Sequence, residues 1–383
     1  MGRQRSAPRT MSGSPPPFDL AIVGSGILGC ALAHHAAALG AGRILLYDRD
    51  HPCAGLSARG AGGLDTTHAD PWMRHQARES SQEYRAISSR WGLGAHRTEG
   101  ELHLARDEQE ALRLERLRAT LTGEGQRAEV LGADEVRERL TAGDPRGVRS
   151  GLFMPEGATF SAAEMTFAYA ELASQAGVDL RWGYGEADLV RQGTGWVVRT
   201  PAARFFTREV VVACGTRAPR LLAPHGVTLR ALVERWQACR LRPPRLAAPF
   251  PSVREAGAGL YVRSSPAGRL VALLGPKDGV TGDPPTDASA DFSFLERIAL
   301  QMHEVLPGWE ESRLEDSWAG TCLTGLDGRP WVGRSPSLPT LYVAAGLGGK
   351  GAAIAGAVAA KLARGIVQDY WKDLASVDPG RFP

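Results

Sequence analysis

Lysine is nearly missing from this chain of 383 residues. Only Lys277, Lys350, Lys361 and Lys372 stand among 45 basic residues, the others being arginine. A lysine inside a functional loop is therefore conspicuous. Cysteine is sparse as well, and its five positions, Cys30, Cys53, Cys214, Cys239 and Cys322, are odd in number and form no Cys-x-x-Cys pair. That pattern excludes a disulfide framework and a structural zinc site. No apolar run reaches the roughly eighteen to twenty residues of a membrane-spanning helix, and residues 1–17, a Ser/Pro-rich tail, lack the apolar centre of a signal peptide. A reducing, cytoplasmic setting is expected. An excess of one charge is lacking too: the net charge is +3, and Arg3, Arg5 and Arg9 lie in the tail. Acids and arginines alternate from Arg106 to Arg118, the pattern of a solvated helical face, so nucleic acid is not an expected partner. There are no internal repeats.

What is present is an ordinary globular composition, 43% hydrophobic and 23% charged. At this length two domains of roughly 150 residues are expected rather than one core. The strongest local signal is Val23-Gly24-Ser25-Gly26-Ile27-Leu28-Gly29, between the apolar run Leu20–Val23 and an Ala-rich segment ending at Gly40. Strand, Gly-x-Gly-x-x-Gly turn and helix in that order point to a dinucleotide, with its pyrophosphate on the helix N-terminus. Gly24 allows the tight turn, Gly26 lets phosphate approach the backbone, and Gly29 lets helix and strand pack closely. A second strand, Arg43–Tyr47, ends at Asp48-Arg49, where an acid can accept ribose hydroxyls and repels a 2′-phosphate.

Beyond Asp48 runs a glycine-rich loop through Ser57, Gly62, Gly63 and Leu64, then a helical pattern from about Met73 to Trp91. A short strand is expected at Gly100–Ala105, with helices at Glu108–Leu121, Ala133–Leu140 and Ser161–Ala176. The last of these opens on a capping box of Ser161 and Glu164. Strands are expected at Val178–Trp182, Trp196–Thr200, Arg204–Phe206 and Val210–Ala213, the last meeting Cys214-Gly215. Further strands are expected at Gln237–Leu241, Leu260–Arg263 and Leu270–Leu274, with a helix near Phe294–Val305. The closing segment holds Asp327-Gly328-Arg329-Pro330, a strand at Leu341–Ala345, the turn Gly346-Leu347-Gly348-Gly349-Lys350-Gly351, and a helix to about Trp371.

Taken together, four motifs resemble the flavin-dependent amine and amino-acid oxidoreductases that include D-amino-acid oxidase, glycine oxidase and sarcosine oxidase. They are the Gly24/Gly26/Gly29 turn with Asp48, the Ser57–Leu64 loop, the Val210–Gly215 strand, and the paired Asp327–Pro330 and Gly346–Gly351 elements. The resemblance implies an α/β fold: a discontinuous Rossmann-like FAD-binding domain (residues 18–95, 150–225 and 316–375) and an α+β substrate domain with an antiparallel or mixed sheet (96–149 and 226–315). It implies FAD held without a covalent bond by Gly24, Gly26, Ile27, Leu28, Gly29, Asp48, Arg49, Ser57, Gly62, Gly63, Leu64, Gly215, Gly346, Gly348, Gly349, Lys350 and Gly351. The helix starting near Gly351 would aim its partial positive charge at the flavin's pyrimidine end. The bland reading is that these glycines are turn and packing residues of any dinucleotide enzyme.

The reaction implied is oxidation of a C–N bond of a small amine or amino acid, by hydride transfer to flavin N5 and formation of an imine. The cofactor carries the difficult step, so a dedicated base is dispensable. Two other readings stand beside it: a 2-hydroxy-acid dehydrogenase, which needs a base for the hydroxyl proton, and a flavin subunit of a multi-subunit dehydrogenase. Relatives that act on amino acids carry an arginine five residues before the Asp-Gly pair, where this chain has Cys322, and another at the position of Gly349. Substrate contacts are expected instead from Tyr261, Arg263, Cys322 and Lys277. Lys350 and His68 are the candidate catalytic residues, Lys350 as a cation beside the flavin and His68 as a base. Lys350 as a solvated loop residue and His68 as a structural histidine are the alternatives. The sarcosine oxidases place an oxygen-activating lysine in a strand matching Ala272–Leu274, which is apolar here, so the electron acceptor is oxygen or an unknown carrier. No metal site is expected.

Overall fold

The computed structural model describes residues 17–140, 145–244, 249–255, 257, 259–265, 268–275, 289–309 and 311–382. Its first sheet runs Trp331–Arg334, Leu341–Ala345, Arg204–Val212, Phe18–Val23, Ile44–Tyr47, Asp179–Arg181. Every neighbouring pair from Leu341–Ala345 to Asp179–Arg181 is parallel; Trp331–Arg334 joins antiparallel, as do Gly195–Arg199, on the first half of Arg204–Val212, and Asp188–Gln192 beyond it. Parallel strands are buried on both faces, which is why Leu20–Val23, Ile44–Tyr47, Val210–Val212 and Leu341–Ala345 read as unbroken apolar runs.

Helix Ile27–Ala38 lies between helices Ala162–Gln175 and Gly351–Gln368. Its buried face is Cys30, Ala31, Ala33 and Ala36, and Gly351–Gln368 answers with Ala355, Ala359 and Ala363. Small side chains let the two axes approach closely, and because each helix follows one of two parallel strands, both bring their N-termini to the same end of the sheet. Helix Pro71–Trp91 covers the outside. Asp70 caps it by accepting from the Trp72 and Met73 amides, Pro71 takes its first turn, and Gly92 at φ +62° ends it.

The second sheet runs Arg313–Gly325, Ala231–Arg242, Arg269–Leu274, Leu260–Ser265, Ser252–Glu255, Glu101–Ala105, Ser150–Met154, Glu129–Gly132. It is antiparallel except where Ser252–Glu255 pairs parallel with Glu101–Ala105. One face packs on helix Phe292–Val305 through Phe294, Ile298 and Met302. Strand pairing carries Ser150–Met154 and Arg313–Gly325 into this sheet, past the expected domain boundaries at 150 and 316.

Two expected strands are one. Arg204–Val212 is continuous because its first half pairs antiparallel with Gly195–Arg199 while its second half pairs parallel with Phe18–Val23 and Leu341–Ala345. Alternation suits the half-exposed first part and the apolar run suits the buried second part, so the sequence pattern breaks where the backbone does not. The strand expected at Gln237–Leu241 extends over Ala231–Arg242, and its partner Arg313–Gly325 is the longest strand described. The last helix stops at Gln368, with Asp369 at φ +54° closing it. No helix among the described residues is long and apolar enough to cross a membrane.

Candidate active site

The first turn is shaped by its own backbone. A Cβ on Gly24 would lie 2.4 Å from the Ala213 carbonyl oxygen and one on Gly29 1.8 Å from that of Gly24. Both glycines are thus required by the protein itself. Gly26 is different, because its nearest neighbour would be Ser57 Oγ at 3.1 Å, and Gly215 has nothing within 4 Å of an added Cβ. Gly215 thus faces open space and Gly26 is crowded only by one side-chain oxygen, and backbone next to a ligand needs such clearance. Ser57 Oγ accepts from the Ile27 amide at 3.0 Å, while Cys30 N is the first amide bonded back within the helix. The Leu28 and Gly29 amides have no protein acceptor among the described residues, the arrangement that receives an anion at a helix N-terminus.

Asp48 is turned inward. Its Oδ2 accepts from the Ser25 amide at 2.7 Å and hydroxyl at 2.9 Å, and its Oδ1 from the Asp50 amide at 3.1 Å. It clasps the turn and keeps one lone pair on Oδ1 for a ribose hydroxyl. Arg49 pairs with Asp50 and with Glu186, which also holds Arg217.

Where the two sheets meet, the loop after Gly60 lies against the second sheet. Arg263 donates to the carbonyls of Ala61 and Ser264, and a Cβ on Gly63 would come 2.8 Å from Tyr261 Oη. Tyr261 is 3% exposed, and its hydroxyl has no hydrogen-bond partner among the described residues. Arg254 covers its ring at 4.6 Å and donates from Nε to Glu101 Oε1 at 3.0 Å. Glu101 also meets His103 Nε2 at 2.8 Å. Lys350, the residue before helix Gly351–Gln368, forms an ion pair with buried Asp65. Burial alone would push the Asp65 carboxyl up, but Arg254 and Lys350 outweigh it and hold it well below the usual carboxylate range. Lys350 therefore neither snorkels nor stands free.

His68 is half-buried, and burial followed by the nearby Lys350 charge pushes its imidazole below the usual value. Its Nδ1 accepts from the Asp70 amide at 3.0 Å. In a neutral ring that leaves the proton on Nε2, a donor. Arg74, 4% exposed, fixes the loop by donating to the carbonyls of His68 and Ala69.

A second cluster sits at the Gly346–Gly351 turn. Registered strand pairs set Glu234 opposite Cys322 and Trp236 opposite Gly320, with Leu232 opposite Thr324. Glu234 Oε2 accepts from Thr324 Oγ1 at 2.8 Å and Trp236 Nε1 at 3.1 Å, and Cys322 Sγ points to it at 3.7 Å. The indole lies so near Gly349 that a Cβ there would come 2.2 Å from it. Burial, with the Glu234 charge beside it, pushes the Cys322 thiol up, so it stays protonated.

The expected residues thus fall into two groups. Gly26, Leu28, Gly29, Ser57 and Gly215 gather at the turn; Gly62, Gly63, Tyr261, Arg263, His68, Lys350 and Cys322 gather at the sheet junction. Lys277 lies outside the described residues. Sequence reasoning missed Asp65, Glu101, Arg254, Glu234 and Thr324. Asp65 follows directly on the expected loop, but the others sit in ordinary alternating strands, where nothing local separates them from solvated residues. Arg235 and Gln237 point to the opposite face from Glu234 and line an open groove of about 900 Å³ beside helix Phe292–Val305, so size alone does not mark the site.

Comparison with known proteins bears on the family and the fold. The family described as FAD dependent oxidoreductase matches residues 19–364. The chain is 27% identical to a glycine oxidase of Geobacillus kaustophilus over 86% of this chain and 87% of that protein. It is 25% identical to a 4-methylaminobutanoate oxidase (formaldehyde-forming) of Paenarthrobacter nicotinovorans over 94% of this chain, which spans 45% of that longer protein. Among solved structures it resembles the L-proline dehydrogenase from P. horikoshii, with a TM-score of 0.88 at 22% identity over 96% of this chain and 98% of that one.

Proposed function

The chain belongs to the FAD dependent oxidoreductase family, and from that premise we propose that it oxidises the C–N bond of an amine or amino acid to an imine, which water then hydrolyses. The first sheet and its helices hold FAD; the second sheet forms the substrate wall. The residues present suit that group. Open Leu28 and Gly29 amides and the bare backbone of Gly26 and Gly215 suit a pyrophosphate, and the unpartnered Tyr261 hydroxyl faces the Gly63 backbone at the other end. Bound there, the flavin supplies a two-electron acceptor for the hydride that leaves the carbon next to nitrogen.

This chain's own part is to orient the substrate, exclude water and leave the amine deprotonated. Tyr261 keeps its proton, since burial raises its phenol despite Arg254, so it offers the substrate a donor. One observation favours C–N over C–O oxidation: among the described residues, the groups around Tyr261 and Asp65 include no free general base, and Glu234 sits with Thr324, Trp236 and Cys322 instead. His68 presents an N–H because Nδ1 is taken by the Asp70 amide, while Asp65 and Glu101 are both matched by cations. An alcohol needs a base for its hydroxyl proton, whereas a neutral amine already carries a lone pair.

Five free cysteines support the reducing, cytoplasmic setting. The electron acceptor is oxygen or a carrier, and the rate of flavin reoxidation in air-saturated buffer distinguishes them. The substrate reading is tested by anaerobic mixing with secondary amines, amino acids and 2-hydroxy acids while the visible flavin band is followed. Amines or amino acids bleach it; bleaching by hydroxy acids alone overturns the reading.

A further inference from the structure

Glu234 lacks what its neighbours have. On the face of the second sheet turned toward the first, Glu101 is matched by Arg254 and His103, and Asp316 by Arg240 at 3.8 Å. Glu234 is half-buried and held by Thr324, Trp236 and Cys322, three neutral donors that all reach the same oxygen. Neutral donors orient a carboxylate without cancelling its charge. Among the described residues no cation pairs with it and no donor reaches Oε1. Of the cations on this side of the sheet, Lys350 pairs with Asp65, Arg254 with Glu101 and Arg263 with the Ala61 and Ser264 carbonyls, while Arg59, whose side chain packs on Gly320, makes no ion pair with Glu234. A fixed, partly desolvated negative charge at a junction of this kind favours a cationic occupant, and such a charge is costly when it stays unmatched.

That cation is not the reacting nitrogen. A carboxylate beside the reacting nitrogen would keep it protonated, and a protonated amine has no lone pair to assist hydride loss. We propose that Glu234 anchors a second, non-reacting ammonium group of the substrate, which makes the substrate a diamine. This deepens the C–N reading above and rests on it. Trp236, bonded to the same oxygen and lying on Gly349, sets the direction of the carboxylate at the turn before helix Gly351–Gln368.

The test uses the flavin-loaded protein and two ligands that cannot be oxidised at nitrogen: butane-1,4-bis(trimethylammonium) and butyltrimethylammonium. Perturbation of the flavin spectrum is titrated for the native protein, Glu234→Gln and Glu234→Asp. The dication binds the native protein at least tenfold more tightly than the monocation. Glu234→Gln, which keeps an acceptor for Thr324 and Trp236, removes that preference with flavin content unchanged, and Glu234→Asp retains part of it. Equal affinities in the native protein, or a preference that survives in Glu234→Gln, overturn the proposal. Anaerobic reduction by N-methyl-1,4-diaminobutane and by N-methylbutylamine separates this from the parent reading. If amines bleach the flavin without regard to the second charge, the anchor fails and C–N oxidation stands. If the dication preference depends on Glu234 but no amine bleaches the flavin, the anchor stands and C–N oxidation fails.

Discussion

At the Gly24–Gly29 end of the junction the binding groups are backbone amides, presented by one turn whose shape is enforced by contacts of the chain with itself. At the Gly346–Gly351 end they are side chains, and Glu234 and Cys322 meet across 88 residues of sequence through strand register. Backbone recognition tolerates few residue types and leaves a dense local motif. Side-chain recognition tolerates many, and leaves single letters scattered through alternating strands. One end is therefore legible as a short motif, whereas the other is assembled only by the fold.

The sharpest way to break this contrast is at the turn. Gly29→Ala sets a methyl 1.8 Å from a backbone oxygen, so a loss of about 3 kcal/mol or more and little folded, flavin-bearing protein are expected. Gly26→Ala meets only Ser57 Oγ at 3.1 Å. It is expected to keep its melting temperature in the flavin-free form yet bind FAD at least tenfold more weakly, about 1.4 kcal/mol. Equal loss of fold in both variants would erase the distinction between self-contact and ligand clearance.

At the side-chain end, Lys350→Met leaves the buried Asp65 carboxylate with Arg254 as its remaining cation, and because Lys350 is partly solvated the expected cost is about 1–2 kcal/mol in thermal or urea unfolding. The double variant Lys350→Met/Asp65→Asn recovers most of that stability. If Lys350 also acts on substrate or oxygen, turnover stays down more than about tenfold in the double variant; recovery of both together assigns Lys350 to structure alone.

A smaller effect belongs to His96, whose Nε2 lies 3.2 Å from Ser81 Oγ. Burial, then Arg85, lowers its imidazole from 6.5 to about 4. Between those values the unfolded chain binds a proton that the folded chain does not. Stability therefore rises with pH through that window and levels off above it. Allowing for solvent screening, the swing is about 1–2 kcal/mol, and His96→Asn flattens it in urea titrations run from pH 4 to 7.

How much was legible follows the same division. Leu20–Val23, Val210–Val212 and Leu341–Ala345 were readable because strands buried on both faces leave unbroken apolar runs, and the Gly24–Gly29 turn because sterics admit nothing else. Asp48 was expected as a ribose acceptor, but its inward clasp on Ser25 was not read, since a contact between residues 23 apart has no sequence signature. Lys350 stood out through scarcity, yet its partner Asp65 lies 285 residues away in the chain and only the fold joins them. Glu234 looked like any strand acid, because register with Cys322 is a property of two segments and of neither alone.

The order of strands in the first sheet bears on how the protein is made. Phe18–Val23 waits for Arg204–Val212, and that strand waits for Leu341–Ala345, so the sheet closes only after Leu341–Ala345 has left the ribosome. Until then the Val210–Val212 edge is unpaired and helix Ile27–Ala38 lacks its Ala-rich neighbour. Contacts of such long sequence separation fold slowly and leave apolar edges exposed in the interval. A nascent chain interrupted before Leu341 is expected to leave that apolar edge open to pairing with other chains.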